Sequence, residues 1–256
     1  MRHNLFLLKE LVKRDFQGRY AGSLLGFTWS LVQPLWQLLL FTFIFSTVLK
    51  ITPMGARTSH FAIFLFSGLL PWMALSEGVL RSSTAITDNA GLVKKLRFPS
   101  EILVLAVVLG ALLHEAIAIV IFLGALAWVG ELSWGGLPLL LLAAPLQVAL
   151  TLGLGLLLAA VQVFFRDTAQ ILGMVLNAWF YLTPIVYPLP LVPDRYRVWL
   201  ELNPMTTLVS LYRQAFLGGS VELVPRTLPF VVGTAMILFA GFWLFRKLKP
   251  AFVDEI

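Results

Sequence analysis

The chain has 256 residues, of which 59% are hydrophobic and only 12% are charged. A soluble domain of this size carries about a quarter charged residues, so these few charges cannot cover a water-facing surface. The absence of cysteine excludes disulfides and thiolate sites. The net charge of +6 does not indicate nucleic-acid binding, because the basic residues lie at the ends of apolar runs. The composition therefore predicts an all-α membrane protein, since helices satisfy their own backbone polar groups in lipid.

The N-terminal segment predicts a helix that lies on the membrane. Between residues 4 and 16, Leu5, Leu8, Val12 and Phe16 fall near one helical face, and the charged residues lie elsewhere. This segment is too short and too charged to span, but it suits the membrane surface. We therefore predict a cytoplasmic interfacial helix over residues 1–23.

Apolar runs long enough to cross the bilayer follow along the rest of the chain. We predict six transmembrane helices, at 24–49, 61–81, 102–129, 137–165, 171–187 and 228–245. The polar connection 82–100 contains a short helical segment, and the proline-rich connection 188–227 predicts short re-entrant helices after the fifth span. All of this forms a single transmembrane domain, residues 1–256.

The distribution of Lys and Arg predicts the orientation of the chain. Most of the 19 Lys and Arg residues lie on one side of the predicted spans, in the N-terminal segment, the 82–100 loop and the C-terminal tail. Basic loops stay in the cytoplasm, so both termini and the 82–100 loop are predicted to be cytoplasmic, and 188–227 extracytoplasmic. The expected location is the inner (plasma) membrane.

Motifs for nucleotide binding or hydrolytic chemistry are missing from the sequence. There is no GxxxxGK[ST] phosphate loop, no HExxH, no GxSxG and no paired-histidine spacing for a metal. We therefore predict no catalytic residue, no metal site and no cofactor in this chain. If ATP drives its function, the ATPase must be a separate subunit.

Three stretches around these spans resemble a known family. They are KRDFQGRYAGSLLGFTWSLVQPL at 13–35, FFRD at 164–167, and WFYLTPIVYPL at 179–189 followed by LNPMTTLVSLYRQAFLGG at 202–219. In this order the chain is similar to the transmembrane permease subunit of polysaccharide-exporting ABC transporters, which handle O-antigen, teichoic acid or capsule chains. The likeness covers essentially the whole length.

The resemblance implies partners and a substrate. It implies a homodimer that pairs with two separate ATPase subunits, which hold the ATP and Mg, and a lipid-linked polysaccharide as substrate. It also implies that loop 82–100 is a coupling helix, that short helices after the fifth span cap the outer mouth, and that aromatic side chains line the path.

Three groups of candidate site residues follow. For the substrate pathway they are Trp29, Trp36, Trp72, Trp179, Phe180 and Tyr181, with the ordinary interfacial aromatic belt as the alternative. For coupling to the ATPase they are Arg14, Arg19, Leu92, Lys94, Lys95, Arg97, Arg166 and Asp167; lipid head groups, topology and helix capping are the alternatives. Pro184 and Pro188 are either a gate hinge or plain helix terminators.

Ionisable residues within the predicted spans leave a rival function open. His114 and Glu115 in the third span, and Glu77 in the second, are costly at this depth and indicate a functional role by default. One alternative is that these residues act in a proton-coupled carrier or a membrane enzyme. The other is that they make a buried hydrogen-bonded contact with another helix, such as the one that carries Gln147. The other rival is an ABC permease for a drug or small lipid.

Overall fold

The computed structural model describes residues 2–18, 28–50, 57–95, 98–219 and 223–256, which form helices and their connections and no strands. In chain order the helices are α1 (Arg2–Gly18), α2 (Trp29–Phe41), α3 (Phe61–Thr84), α4 (Ala90–Lys95), α5 (Glu101–Val129), α6 (Leu140–Phe164), α7 (Thr168–Tyr181), α8 (Asp194–Leu202), α9 (Pro204–Leu217), α10 (Leu223–Leu248) and α11 (Phe252–Glu255). A π-helical segment, Thr42–Val48, continues α2, and a 3-10 turn, Leu137–Leu139, leads into α6. The predicted all-α class is confirmed.

Within the described ranges, four helices have the length and composition to cross a membrane, at 61–84, 101–129, 137–164 and 227–255. They coincide with four of the six predicted spans. The predicted first span, 24–49, contains a shorter apolar helix, Trp29–Phe45. Residues 24–27 of that span lie outside the described residues. The predicted fifth span corresponds to α7, whose 14 residues extend about 21 Å. The count of six spans therefore stays a prediction.

Helix α7 ends at Tyr181, six residues before the predicted end of the fifth span. The reason is the Thr183-Pro184 pair, because proline disfavours helical backbone at the residue before it. The short helices predicted in the following connection are present as α8 and α9. Helix α9 is buried along most of its length, whereas α8 exposes Val198, Trp199 and Leu202. Their re-entrant placement stays a prediction.

Helix α3 is the central element of the bundle. Residues Phe61–Trp72 are buried all round, and α3 packs against α5, α6, α7 and α9. A helix that is apolar on every face is expected where other helices enclose it. The end of the bundle where α3 ends and α5 begins carries α4, and we call it the α4 end.

A second packing cluster fills the α4 end. There Ile86, Val104, Leu156, Phe245 and Phe252 are buried together. The C-terminal tail is also held by charge, because Lys249 Nζ donates to Glu101 Oε2 at 2.8 Å. At the opposite end, His60 Nδ1 lies 2.8 Å from Glu131 Oε1 and joins the start of α3 to the end of α5.

Helices α6 and α10 cross at two glycines. A Cβ atom on Gly153 would lie 2.7 Å from the Cα of Leu238, and one on Gly241 would overlap the backbone oxygen of Gly153. Small residues allow such close backbone approach, which drives helix association in lipid. Gly233, on the same helix α10, has only open space within 4 Å of the position that a Cβ would take.

We expect Gly241→Ala to lower the thermal stability of the detergent-solubilised protein by about 1–3 kcal/mol, because the helices must separate to admit the methyl group. The matched control, Gly233→Ala, makes the same change in open space and should be neutral or stabilising by up to about 1 kcal/mol. Size-exclusion chromatography after heating to a series of temperatures measures the melting temperature of both variants. Equal melting temperatures would contradict the close crossing.

Candidate functional site: a membrane cavity and its polar contacts

A cavity of about 710 Å³ lies between α2, α3, α5 and α7. Its size falls in the range of small-molecule sites, about 300–1,000 Å³. The residues with polar side chains that line it are Gln33, Gln37, Ser76, Glu77, His114, Glu115, Asn177 and Tyr181. Aromatic and aliphatic side chains from the same four helices make up the rest, so the cavity has both apolar and polar walls.

Three of the aromatic residues predicted for the pathway meet at this cavity. Trp72, Phe180 and Tyr181 all line it. The ring centroids of Trp72 and Phe180 are 5.7 Å apart, and those of Phe180 and Tyr181 are 5.2 Å apart. Edge-to-face and tilted arrangements of this kind are the favoured ones for aromatic pairs. The rings therefore form one continuous surface.

The other three predicted pathway residues lie elsewhere. Trp179 packs edge-on against Trp72, and its Nε1 donates to Asn203 Oδ1 at 2.8 Å, so its polar atom is engaged by the protein. Trp29 and Trp36 are 41% and 64% exposed, and the lining of the cavity does not include them. On α2 they face outward, where lipid or another subunit would cover them.

Behind the polar wall, Gln147 joins four helices. Its Nε2 donates to Glu115 Oε2 at 2.7 Å and to the carbonyl oxygen of Pro71 at 3.3 Å. Its Oε1 accepts a hydrogen bond from the hydroxyl of Tyr212. Gln147 and Tyr212 are fully buried, and Glu115 is 6% exposed. The contact between Glu115 and the helix of Gln147, predicted as one alternative, is confirmed.

Charged groups connect the cavity to α1. Arg81 binds Asp15 through two hydrogen bonds of 2.5 and 3.1 Å, and its Nη1 lies 3.6 Å from Glu77 Oε1. Glu77 Oε2 is in turn 3.7 Å from His114 Nδ1. Two hydrogen bonds between one arginine and one carboxylate form a strong contact, and they also fix the relative orientation of the two groups. Helix α1 is thus tied to the central helix α3.

Sequence reasoning did not single out Asp15 or Arg81 as a pair. The two residues are 66 positions apart, and no local spacing joins them. The available signal was weak: Asp15 is one of two acidic residues on a mostly basic amphipathic helix, and Arg81 lies at the end of a predicted span.

The segment after α7 is held in place by two side chains from the α8–α9 region. Asn203 donates to the carbonyl oxygen of Leu182 and to Thr183 Oγ1, and it caps α9. Arg213 donates to the carbonyl oxygens of Pro184 and Ile185, both at 2.6 Å, and lies over the ring of Phe64. Pro184 and Pro188 are both buried here. Their role as a hinge stays a prediction.

Several predicted coupling residues gather at the α4 end. A surface pocket of about 320 Å³ joins the turn before α4, the α6–α7 turn with Arg166, and the C-terminal residues Glu255 and Ile256. Lys94 and Asp167 are exposed, and Leu92 is half-buried. Arg14 lines a separate surface pocket on α1. Arg19 and Arg97, and the side chain of Lys95, lie outside what the structure describes.

A helical bundle with four helices that are long and apolar enough to cross a membrane indicates an integral membrane protein, and a cavity lies between its helices. A model of the ABC-2 type transporter family matches residues 7–217. The chain therefore belongs to the ABC-2 type transporter family.

Curated proteins match almost the whole chain. It is 30% identical over 252 residues to the O-antigen export system permease protein RfbA of Myxococcus xanthus, covering 98% of this chain and 95% of that protein. It is 28% identical to the RfbA protein of Klebsiella pneumoniae, over 99% of this chain and 98% of that protein. It is 26% identical to the polysialic acid transport protein KpsM of Escherichia coli, over 97% and 95%. The family resemblance predicted from the sequence is confirmed.

We expect Tyr212→Phe to destabilise the protein by about 1 kcal/mol, because it leaves the buried amide oxygen of Gln147 unpaired. The control is Tyr196→Phe, since the hydroxyl of Tyr196 is exposed and bonds only to its neighbour Arg195 among the described contacts. The shift in unfolding temperature in detergent measures both variants. A shift of similar size for both would contradict the role given to Gln147.

Proposed function

We propose that this chain is the membrane-spanning subunit of an ATP-driven exporter that carries a lipid-linked polysaccharide out of the cytoplasm. Family membership supports the ABC transporter class, and relatives named for O-antigen export and polysialic acid transport support the polysaccharide. The observation that carries the proposal is the cavity, where Trp72, Phe180 and Tyr181 meet carboxylate and amide side chains. Sugars present C–H faces that pack on aromatic rings, and hydroxyls that hydrogen-bond to such polar groups.

The working unit that we propose is a homodimer. Helices α2 and α7, which both line the cavity, also expose large apolar side chains, including Trp36, Leu39 and Phe43 on α2 and its π-helical continuation and Met174 on α7. Contiguous exposed apolar surface indicates a lipid or protein contact. A second copy against these faces would enclose a conduit between the two copies, with each copy a single permease domain.

Energy would come from two copies of a separate ATPase subunit, which bind the ATP and Mg. The sequence has no phosphate loop of its own. The α4 end, with Leu92, Lys94, Arg166 and Asp167 at or near its surface, is the proposed docking face. Both termini would then lie in the cytoplasm of a cell with this protein in its inner membrane.

Closure of the ATPase subunits would move two elements of this chain. Helix α4 would be pushed directly, and α1 would move with it, pulling on α3 through the contact between Asp15 and Arg81. At the far end, the segment that contains Pro184 and Pro188 would open as a gate, since Asn203 and Arg213 hold it by few, directional bonds.

Deletion of the gene for this chain should leave the polysaccharide inside the cell and abolish it at the cell surface. Surface labelling with a glycan-specific antibody, before and after permeabilising the cells, measures both pools. Expression of the chain from a plasmid should restore surface label. Normal surface label in its absence, or ATP hydrolysis by the purified chain alone in vesicles, would overturn the proposed function.

Asp15→Asn and Arg81→Gln should each lower partner-stimulated ATP hydrolysis about tenfold, as loss of a charge-assisted pair of about 1.5–3 kcal/mol would predict. The double variant should be no worse than Arg81→Gln alone, because both single variants remove the contact between Asp15 and Arg81, and Arg81→Gln also removes the contact with Glu77. The rates are measured in vesicles with the ATPase subunit present. Additive losses would show that the two residues act independently.

A further inference from the structure

The C-terminal segment of the chain turns back onto the bundle. Helix α10 ends at Leu248, and a 3-10 turn, Lys249–Ala251, separates it from α11, Phe252–Glu255. Pro250 explains this turn, because proline has no backbone N–H and disfavours α-helical backbone at the residue before it. We call residues 249–256 the tail. The tail therefore does not extend α10, and its single aromatic residue reaches the bundle.

Two attachments hold the tail to the bundle. Phe252 is fully buried, and the centroid of its ring lies 5.2 Å from that of Phe245 and 6.3 Å from that of Phe164, the last residue of α6. Lys249 Nζ donates to Glu101 Oε2 at 2.8 Å, at the start of α5. A helix as short as α11 is not stable by itself. The buried ring is therefore the main anchor of the tail.

The tail lies between two parts of the proposed docking face, α4 and the α6–α7 turn. Helix α11 packs against both α4 and α6. Val93 of α4 and Ile256 of the tail pack against the same buried cluster that contains Phe252. Glu255 and Ile256 also line the surface pocket that includes Arg166 of the α6–α7 turn. The tail thus joins the two parts to each other.

Of these two parts, α4 depends on packing from outside itself. It has only six residues, whereas helices shorter than about 12–15 residues are marginal without tertiary contacts. The α6–α7 turn instead has hydrogen bonds of its own. Gln162 Nε2 donates to the carbonyl oxygen of Arg166 at 2.9 Å, and Gln162 Oε1 accepts from the backbone N–H of Ala169 at 2.8 Å. The position of α4 is therefore the one that the tail can decide.

We propose that the tail is a positioning element that holds α4 where an ATPase subunit can bind it, with Phe252 as its anchor. This proposal rests on the proposed function and adds a part to it. A surface that is already in its bound arrangement has less to order on binding. If only a fraction of the molecules holds that arrangement, the apparent Kd equals the intrinsic Kd divided by that fraction. Loss of the anchor therefore weakens docking and leaves the later steps unchanged.

The first test uses the full chain in vesicles, titrated with the ABC ATPase subunit of the same host. Phe252→Ala should raise the ATPase concentration that gives half-maximal ATP hydrolysis about tenfold, and the maximal rate should stay within about twofold. Val253→Ala is the matched control, because this neighbour on α11 is 47% exposed, and it should change neither quantity. A variant that fails to fold would lower the maximal rate instead.

The second test measures the position of α4 directly. The chain has no cysteine, so Gly91→Cys and Gln170→Cys place two spin labels at exposed positions of α4 and α7. A Cβ atom on Gly91 would have no neighbour within 4 Å. Excess unlabelled chain ensures that each measured pair lies within one chain. Pulsed electron paramagnetic resonance should show a broader distance distribution in Phe252→Ala and an unchanged one in Val253→Ala.

A cross-linker as long as the mean distance between these two cysteines should restore the half-maximal concentration in Phe252→Ala, because it replaces the tail. Failure of this rescue, or an unchanged half-maximal concentration in Phe252→Ala, would overturn the proposal. If the ATPase subunit does not act with the unchanged chain at all, the proposed function fails. The label distances are independent of that subunit, and a narrow distribution in Phe252→Ala would by itself overturn the positioning role of the tail.

Discussion

The hydrogen bonds of Gln147 are the constraint on which the rest of the bundle depends. In a membrane interior no water can satisfy a buried amide, so its partners must come from the protein. One side chain on α6 meets this need by bonding α3, α5 and α9 at once, through Pro71, Glu115 and Tyr212. Because each bond requires a particular position of each helix, the polar contact sets the relative placement of helices that apolar packing alone would leave free to slide.

That placement also creates the cavity. Glu115, which Gln147 holds, lines the cavity together with His114 on the same helix. Trp72 is set in the same way, since Trp179 packs against it and is itself fixed by Asn203. The bonds that hold the helices together therefore also fix side chains that line the cavity.

Two parts of the molecule are fastened differently. At the α4 end, Arg81 with Asp15, and Lys249 with Glu101, form ion pairs between segments far apart in the chain. At the opposite side of the cavity, the segment after α7 is held by side chains that bind backbone carbonyl oxygens. Ion pairs transmit displacement between rigid helices, whereas a few bonds to an irregular segment can be broken and remade. In the proposed function, the ATPase subunits drive the α4 end and the segment after α7 opens.

The sequence by itself determined the membrane class, four of the spanning helices, the short helices around them and the family. These follow from apolar length, proline and the order of motifs, all of which are local properties of the chain. It also offered, as one alternative, a contact between Glu115 and the helix of Gln147, because a mid-span carboxylate needs a partner. Only the tertiary structure decided that Trp72, Phe180 and Tyr181 share a cavity while Trp179 is engaged elsewhere, and that Asp15 meets Arg81. Those contacts join residues far apart in the chain, and they depend on helix rotation and crossing, which hydropathy and spacing do not encode.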